Sequence, residues 1–96
     1  MKDVIVTREV LELYDKYEGD FGLLHERWAD KRDREKVTRE QCQLLGEYVE
    51  KLEFTRLDPV LFSAEMREAA RRRIAELEVV IDGEVIEILR KRLLEE

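Results

Sequence analysis

Several residue types are scarce in this chain, and each scarcity narrows the choice of fold and chemistry. A single Cys, Cys42, leaves no partner for an internal disulfide, which suits a reducing compartment. One Pro and four Gly in 96 residues supply too few turn-formers for a fold of many short strands. The single His, His25, falls short of the three or four spaced ligands that a zinc site needs. No apolar run approaches the roughly 18 residues that mark a membrane-spanning helix, and Met1-Lys2-Asp3 does not open a signal-peptide pattern, so the expected address is cytoplasmic.

What the chain has in abundance is charge. Charged residues make up 44% of it, against a typical share of about 25%, and the net charge is −6. The negative field lies toward the N-terminal end, where residues 1–26 carry three Lys or Arg against seven Asp or Glu. An acidic chain gains little from counterion release, which disfavours nucleic acid and makes a basic protein the more natural partner. The length sets one domain, 1–96, with a modest core.

The chain is organised around Tyr14–Trp28, which holds the only Trp, the only His, two of the four Gly and four of the seven aromatic residues. Before it, Thr7 is placed to cap a first helix, with Val6 stapling onto Leu11, and Val10, Leu13, Tyr14 and Tyr17 keep helical spacing. Gly19 is the expected stop, and Asp20 can cap a second helix with Phe21, Leu24 and Trp28 on one stripe. From Glu26 to Glu40, eleven of fifteen residues are charged, which reads as a solvated helix end and connector supported by Asp30–Arg34 and Glu35–Arg39 pairs four apart.

Val37-Thr38-Arg39-Glu40-Gln41 repeats the opening device. Val37 should staple onto Cys42, and Thr38 with Gln41 has the capping-box pattern. A third helix follows with Cys42, Leu45, Val49 and Leu52 in line and Leu44 and Tyr48 beside them. Val-Thr-Arg-Glu at 6–9 and 37–40 could record a duplication, but two helices solving one capping problem explain it more simply. Leu57-Asp58-Pro59 should open a fourth helix, with Phe62, Met66, Ala69, Ala70, Ile74, Leu77 and Ile81 as its stripe.

Residues 78–89 carry two readings. Asp82-Gly83 between β-branched runs is a strong hairpin signal, and a hairpin there could recruit Val4-Ile5-Val6 as a third strand. Leu77, Ile81, Val85 and Ile88 nevertheless keep helical spacing through the Gly, which favours a helix that breaks and restarts at Asp82-Gly83. The expected fold is all-α, a small bundle of four to five helices with a kinked or broken long C-terminal helix. The alternative is α+β with a hairpin at 78–89.

Chemistry is thinly represented. Asp15 and Glu26 stand twelve positions apart like the end ligands of a calcium loop, but Tyr17, Gly19 and Asp20 fill the places that need oxygen ligands and the turn Gly. His25 and Cys42 could form a base and nucleophile only if the fold joined them, and Cys42 falls on an apolar stripe, where a small buried thiol is the ordinary outcome. Arg71-Arg72-Arg73 and Arg90-Lys91-Arg92 alternate with acidic neighbours, among them Glu68 and Glu87, as solvated helix faces do. No phosphate loop, nucleophile elbow or dinucleotide fingerprint occurs, so no enzyme activity, cofactor or metal is expected.

The expected function is that of a protein–protein interaction module for a basic partner, in the manner of an inhibitor, an immunity protein or an adaptor. Its candidate partner-binding residues are Asp15, Tyr17, Glu18, Asp20 and Trp28, provided the aromatics reach the surface instead of packing between helices. The alternative is a non-catalytic homodimer joined through its apolar C-terminal segment. An enzyme or ligand carrier using His25 or Cys42 ranks behind both.

Overall fold

The computed structural model describes residues 4–19, 30–56, 60 and 63–94. Five helices lie in these stretches: α1 (Arg8–Lys16), α2 (Lys31–Lys36), α3 (Arg39–Arg56), α4 (Ala64–Glu78) and α5 (Gly83–Leu94). The expected all-α bundle is the fold observed. Among the described residues no strand forms, and the only β-pairing is one parallel bridge between Val6 and Ile81.

The longest helix, α3, is the one that α1, α4 and α5 pack on. Its apolar residues recur at helical spacing, and Leu45, Tyr48, Val49 and Leu52 are buried against α4 and α5, with α1 closing the remaining side against α3 and α5. Val6, Val10, Leu11, Ile74, Leu77, Ile81, Val85 and Leu89 complete this main core. A smaller cluster of Leu13 and Tyr17, with Val37 and Cys42 packed on it, lies beside the start of α3.

The start of α3 is built as its sequence expects. The Thr38 N–H donates to Gln41 Oε1 at 2.8 Å, and the Gln41 N–H donates to Thr38 Oγ1 at 3.1 Å, which satisfies two donors that the first turn would leave unpaired. Gln41 also donates from Nε2 to the Ile5 carbonyl at 2.8 Å, tying the N-terminal tail to the same corner. At α1 the staple residues Val6 and Leu11 both enter the main core. Thr7 occupies the N-cap position, but its side chain makes no cap bond. For α4 the cap is Ser63, whose hydroxyl accepts from the Met66 N–H at 3.2 Å; the expected start at Asp58-Pro59, and Phe62, lie outside the described residues.

The stripe expected on α4 is shorter than its sequence suggests. Ala70, Ile74 and Leu77 are buried, but Ala69 is exposed and Met66 is 48% exposed. Met66 and Ala69 border an open hollow of about 400 Å³, lined also by Lys51 and Phe54.

At 78–89 the broken helix forms and the hairpin does not. The chain leaves α4 at Val79, and Asp82 caps α5: Asp82 Oδ1 accepts from the Glu84 N–H at 2.8 Å, and the Asp82 carbonyl accepts from Ile86 at 3.0 Å. Gly83 is thus the first residue of a helix, and the Asp-Gly pair serves as cap and start. Pairing is still needed at the break, and the N-terminal tail supplies it. The Ile5 and Val6 N–H groups donate to the Val80 carbonyl at 2.8 and 3.0 Å, and the Asp82 N–H donates to the Val6 carbonyl at 2.9 Å. The expected involvement of Val4-Ile5-Val6 therefore survives as a single bridge without the hairpin.

Candidate functional site

The last turn of α1 is where the candidate residues gather. The Gly19 N–H donates to the Tyr14 carbonyl at 2.8 Å, and Glu18 and Gly19 take φ of +57° and +78°, two left-handed residues in succession. Gly19 tolerates that region without penalty, whereas a residue with a Cβ such as Glu18 pays roughly 1–2 kcal/mol for it. The stop expected at Gly19 is thus built one residue early, and Glu18 stands out into solvent on the turn. A Cβ at Gly19 would come within 3.2 Å of the Tyr14 hydroxyl, so the Tyr14 ring lies close over this turn.

Asp15 faces outward but is engaged. Its two carboxylate oxygens accept from the Arg92 guanidinium at 2.7 and 3.0 Å, a two-point clamp between the ends of α1 and α5. Tyr17 is only 5% exposed and packs with Leu13, so it belongs to the core rather than to an exposed rim. Asp20 and Trp28, together with Phe21 and His25, lie outside the described residues.

Tyr17 leads instead to a group that no sequence pattern singles out. Asp33, in the charge-rich connector, is 3% exposed. Its Oδ2 accepts from Lys16 Nζ at 2.6 Å and from the Tyr17 hydroxyl at 2.8 Å, and Lys36 Nζ stands 3.8 Å from Oδ1. The Lys16 and Tyr17 hydrogen bonds hold the Asp33 carboxyl below the ordinary carboxylate range, against the opposing effect of desolvation. Lys16 is raised in turn, chiefly by the same bond, and Tyr17 is raised first by desolvation and then by its bond to Asp33. In sequence Asp33 looks like its ten charged neighbours, because its partners lie sixteen and seventeen positions upstream.

These shifts set a pH dependence. A carboxyl whose folded pKa lies below its unfolded value of about 3.9 stabilises the fold above that value, and the contribution disappears as pH falls through the lower, folded value. Lys16 runs the other way, contributing fully below its unfolded value of about 10.4 and ceasing to contribute as pH rises through the raised folded one. Melting temperature against pH should therefore fall away on the acid side below about 4, and Asp33→Asn should flatten that limb while lowering the plateau above it. An unchanged acid limb in the variant would assign the loss to other carboxylates.

At the other end of α1, Arg8 bonds to Glu84 and lies 3.6 Å from Glu12, with Glu9 exposed beside it. Arg8, Glu9, Glu12, Lys16, Asp33 and Lys36 line a shallow hollow of about 490 Å³ between α1 and α2. Neither Glu9 nor Glu18 has an ion pair among the described residues. Glu9 and Glu12 thus border the hollow beside α2 together with Lys16 and Lys36, Asp15 faces the end of α5, and Glu18 stands exposed on the turn.

The arginine runs act mainly as ties between helices. Arg72 meets Glu68 at 3.9 Å and Lys91 meets Glu87 at 3.4 Å, as their spacing predicts. Arg73 reaches across to α3 and grips both oxygens of Glu47 at 2.7 and 2.9 Å, and Arg90 holds Glu78 at 2.7 Å. Asp30 caps α2 through the Arg32 N–H at 2.8 Å instead of serving mainly as a partner for Arg34, and the break at Val37 prevents Glu35 and Arg39 from sharing one helix. Cys42 is half-buried, and desolvation raises its thiol pKa, the wrong direction for a nucleophile at neutral pH.

Among the described residues no group of three or more His, Cys, Asp or Glu could hold a metal ion, and no helix is long and apolar enough to cross a membrane. No protein-family model, curated protein or solved structure matches this chain.

Proposed function

We propose that the chain is a small acidic interaction module whose partner is a protein with a basic surface, acting as an inhibitor, immunity-type protein or adaptor. The observation that carries this reading is the solvent surface of α1. The exposed charged residues of α1 and its turn are Glu9, Glu12, Asp15 and Glu18 against Arg8 and Lys16, four carboxylates to two cations. A net negative surface on a short rigid helix attracts a basic surface and rejects an acidic one, which is how charge confers specificity and speeds encounter. Asp15 contributes less to this surface than its sequence position suggests, because Arg92 neutralises it. Nucleic acid remains a poor partner on the same electrostatic ground, and a cytoplasmic address agrees with a free thiol at Cys42.

Self-association through the C-terminal segment has less support. Val85 and Leu89 are buried within the chain, and Ile86, Ile88 and Leu93 pack against its own core.

The test is capture from the source cell with two baits, the native chain and the triple charge reversal Glu9→Lys, Glu12→Lys and Glu18→Lys. These positions are exposed, so circular dichroism should show the helices intact. A protein with a basic surface that is retained by the native bait, lost on the reversed one and released by salt supports the proposal. Identical capture by both baits overturns the assignment of this surface.

A further inference from the structure

We propose that α2 is a charge-locked flap, held closed by Asp33, which opens as a unit to uncover the small cluster of Leu13, Tyr17, Val37 and Cys42. This goes beyond the proposed function and does not depend on which partner the chain binds.

Six residues are too few for an isolated helix to persist, so α2 needs tertiary contacts to hold it. Ordinarily an apolar face supplies them, but the only buried residue of α2 is Asp33. Among the described residues the attachment of α2 to α1 is therefore polar, centred on one carboxylate that both Lys16 and Tyr17 hold through the same oxygen, with the Tyr17 hydroxyl also meeting the Asp30 backbone at the cap. From α1 the charged groups facing it are Lys16 and, across the shared hollow, Arg8, Glu9 and Glu12; from its own segment they are Lys36 and Asp30. A lock of this kind closes strongly but has little apolar reserve among the described residues. Once the carboxylate is neutralised or its cations are screened, the ties that remain among those residues are the Tyr17 contact with the Asp30 backbone and the packing of Val37.

The extent of the opening follows from the caps. Val37 ends α2 in an extended conformation and packs on the small cluster, while Thr38 and Gln41 cap α3 independently of α2. Gln41 also holds Ile5, so α3 keeps its first turn when α2 leaves. The hinge falls between Val37 and Thr38. Opening removes Asp33 from the Tyr17 hydroxyl and carries Val37 away from the half-buried Cys42 thiol, which serves as a built-in reporter.

The experiment measures Cys42 alkylation by iodoacetamide in the native chain, in Asp33→Asn and in Lys16→Met, together with amide hydrogen exchange. Asp33→Asn should raise the alkylation rate on the order of tenfold, since the bonds removed involve a charged group and the opening is local. A pH profile separates opening from acidity, because opening lifts the plateau rate whereas a change in thiol acidity moves the midpoint. Amides of Lys31–Val37 should exchange faster in the variant, and those of Leu45–Leu52 should not. In the native chain, raising NaCl from about 0.05 M to about 1 M should speed alkylation, because Lys16 is exposed enough to be screened. An alkylation rate indifferent to salt and to both substitutions overturns the flap, as does exchange that accelerates equally in α2 and α3. Should Asp33→Asn fail to fold, Lys16→Met and the salt series on the native chain decide the matter by the same criteria.

Discussion

Replacing Tyr48 with alanine is expected to destabilise the protein by about 3–5 kcal/mol, whereas Tyr48→Phe should change its stability by less than about 1 kcal/mol. Tyr48 is fully buried and belongs to the main core on α3, so truncation removes a large packed ring from the helix the others rest on. Its hydroxyl is hidden from solvent and makes no hydrogen bond of ordinary geometry. Desolvation raises the phenol pKa, with the Glu78 carboxylate adding to the rise and the facing Arg90 guanidinium opposing it. The hydroxyl therefore contributes little that Phe would lose, and removing a poorly satisfied polar atom can offset the small remainder. A domain of this size has a total stability on the order of 5–15 kcal/mol, so the alanine variant approaches unfolding while the Phe variant stays near native. Urea titration followed by circular dichroism measures both. A Tyr48→Phe loss of about 1.5 kcal/mol or more would show that the hydroxyl is held by a bond to Arg90.

How much of this was legible in the sequence depends on how far apart the interacting groups stand. The Thr38–Gln41 box and the α3 stripe are encoded within a few residues and both form, and the staple residues Val6 and Leu11 both enter the main core. At Asp82-Gly83 the local signal was ambiguous because one dipeptide suits both a tight turn and a helix start. The helix start takes the donors a hairpin would need: the Glu84 N–H goes to Asp82 Oδ1 and the Ile86 N–H to the Asp82 carbonyl, while the tail's pairing at Val80, more than seventy positions away, fits either reading. The overlong stripe on α4 has a related cause. Period alone places Met66 in line with Ala70 and Ile74, but it carries no information about where the neighbouring helix ends.

The candidate site divides in the same way. Tyr17 sits at a helical spacing that fits core packing, and it packs; what spacing could not supply was the carboxylate waiting for its hydroxyl. Asp33 in a charged stretch reads as solvated because most such residues are, and only the docking of α2 on α1 buries it. Asp15 looked like a free acidic residue until the end of α5 brought Arg92 against it. Charge composition thus gives the net sign of the chain, but the fold decides which carboxylates are engaged within it and which are not. Glu9, Glu12 and Glu18 now stand for the acidic surface in place of Asp15 and Tyr17.

The N-terminal tail gives the second large effect. Val6→Asp should cost about 4 kcal/mol or more, because Val6 is 0% exposed within an apolar core and nothing there could pair a carboxylate. Val6→Ala should cost about 2 kcal/mol through lost apolar burial and a small cavity. Val6→Pro tests the backbone on its own terms: the ring removes the N–H that donates to the Val80 carbonyl while leaving the carbonyl that accepts from Asp82. If the tail acts mainly by filling the core, Val6→Pro should be milder than Val6→Ala, since most of the side-chain volume remains. If it acts mainly by pairing the break between α4 and α5, Val6→Pro should be the worse of the two. The first order is expected, because the Ile5 N–H still donates to the Val80 carbonyl and the Val6 carbonyl still accepts from Asp82, so Val6→Pro removes one of three bonds and leaves both the Val80 carbonyl and the Asp82 N–H paired. Thermal melts of the three variants give the order directly, and a Val6→Pro variant as stable as the native chain would show that the bridge to Ile81 is incidental to how α5 is held.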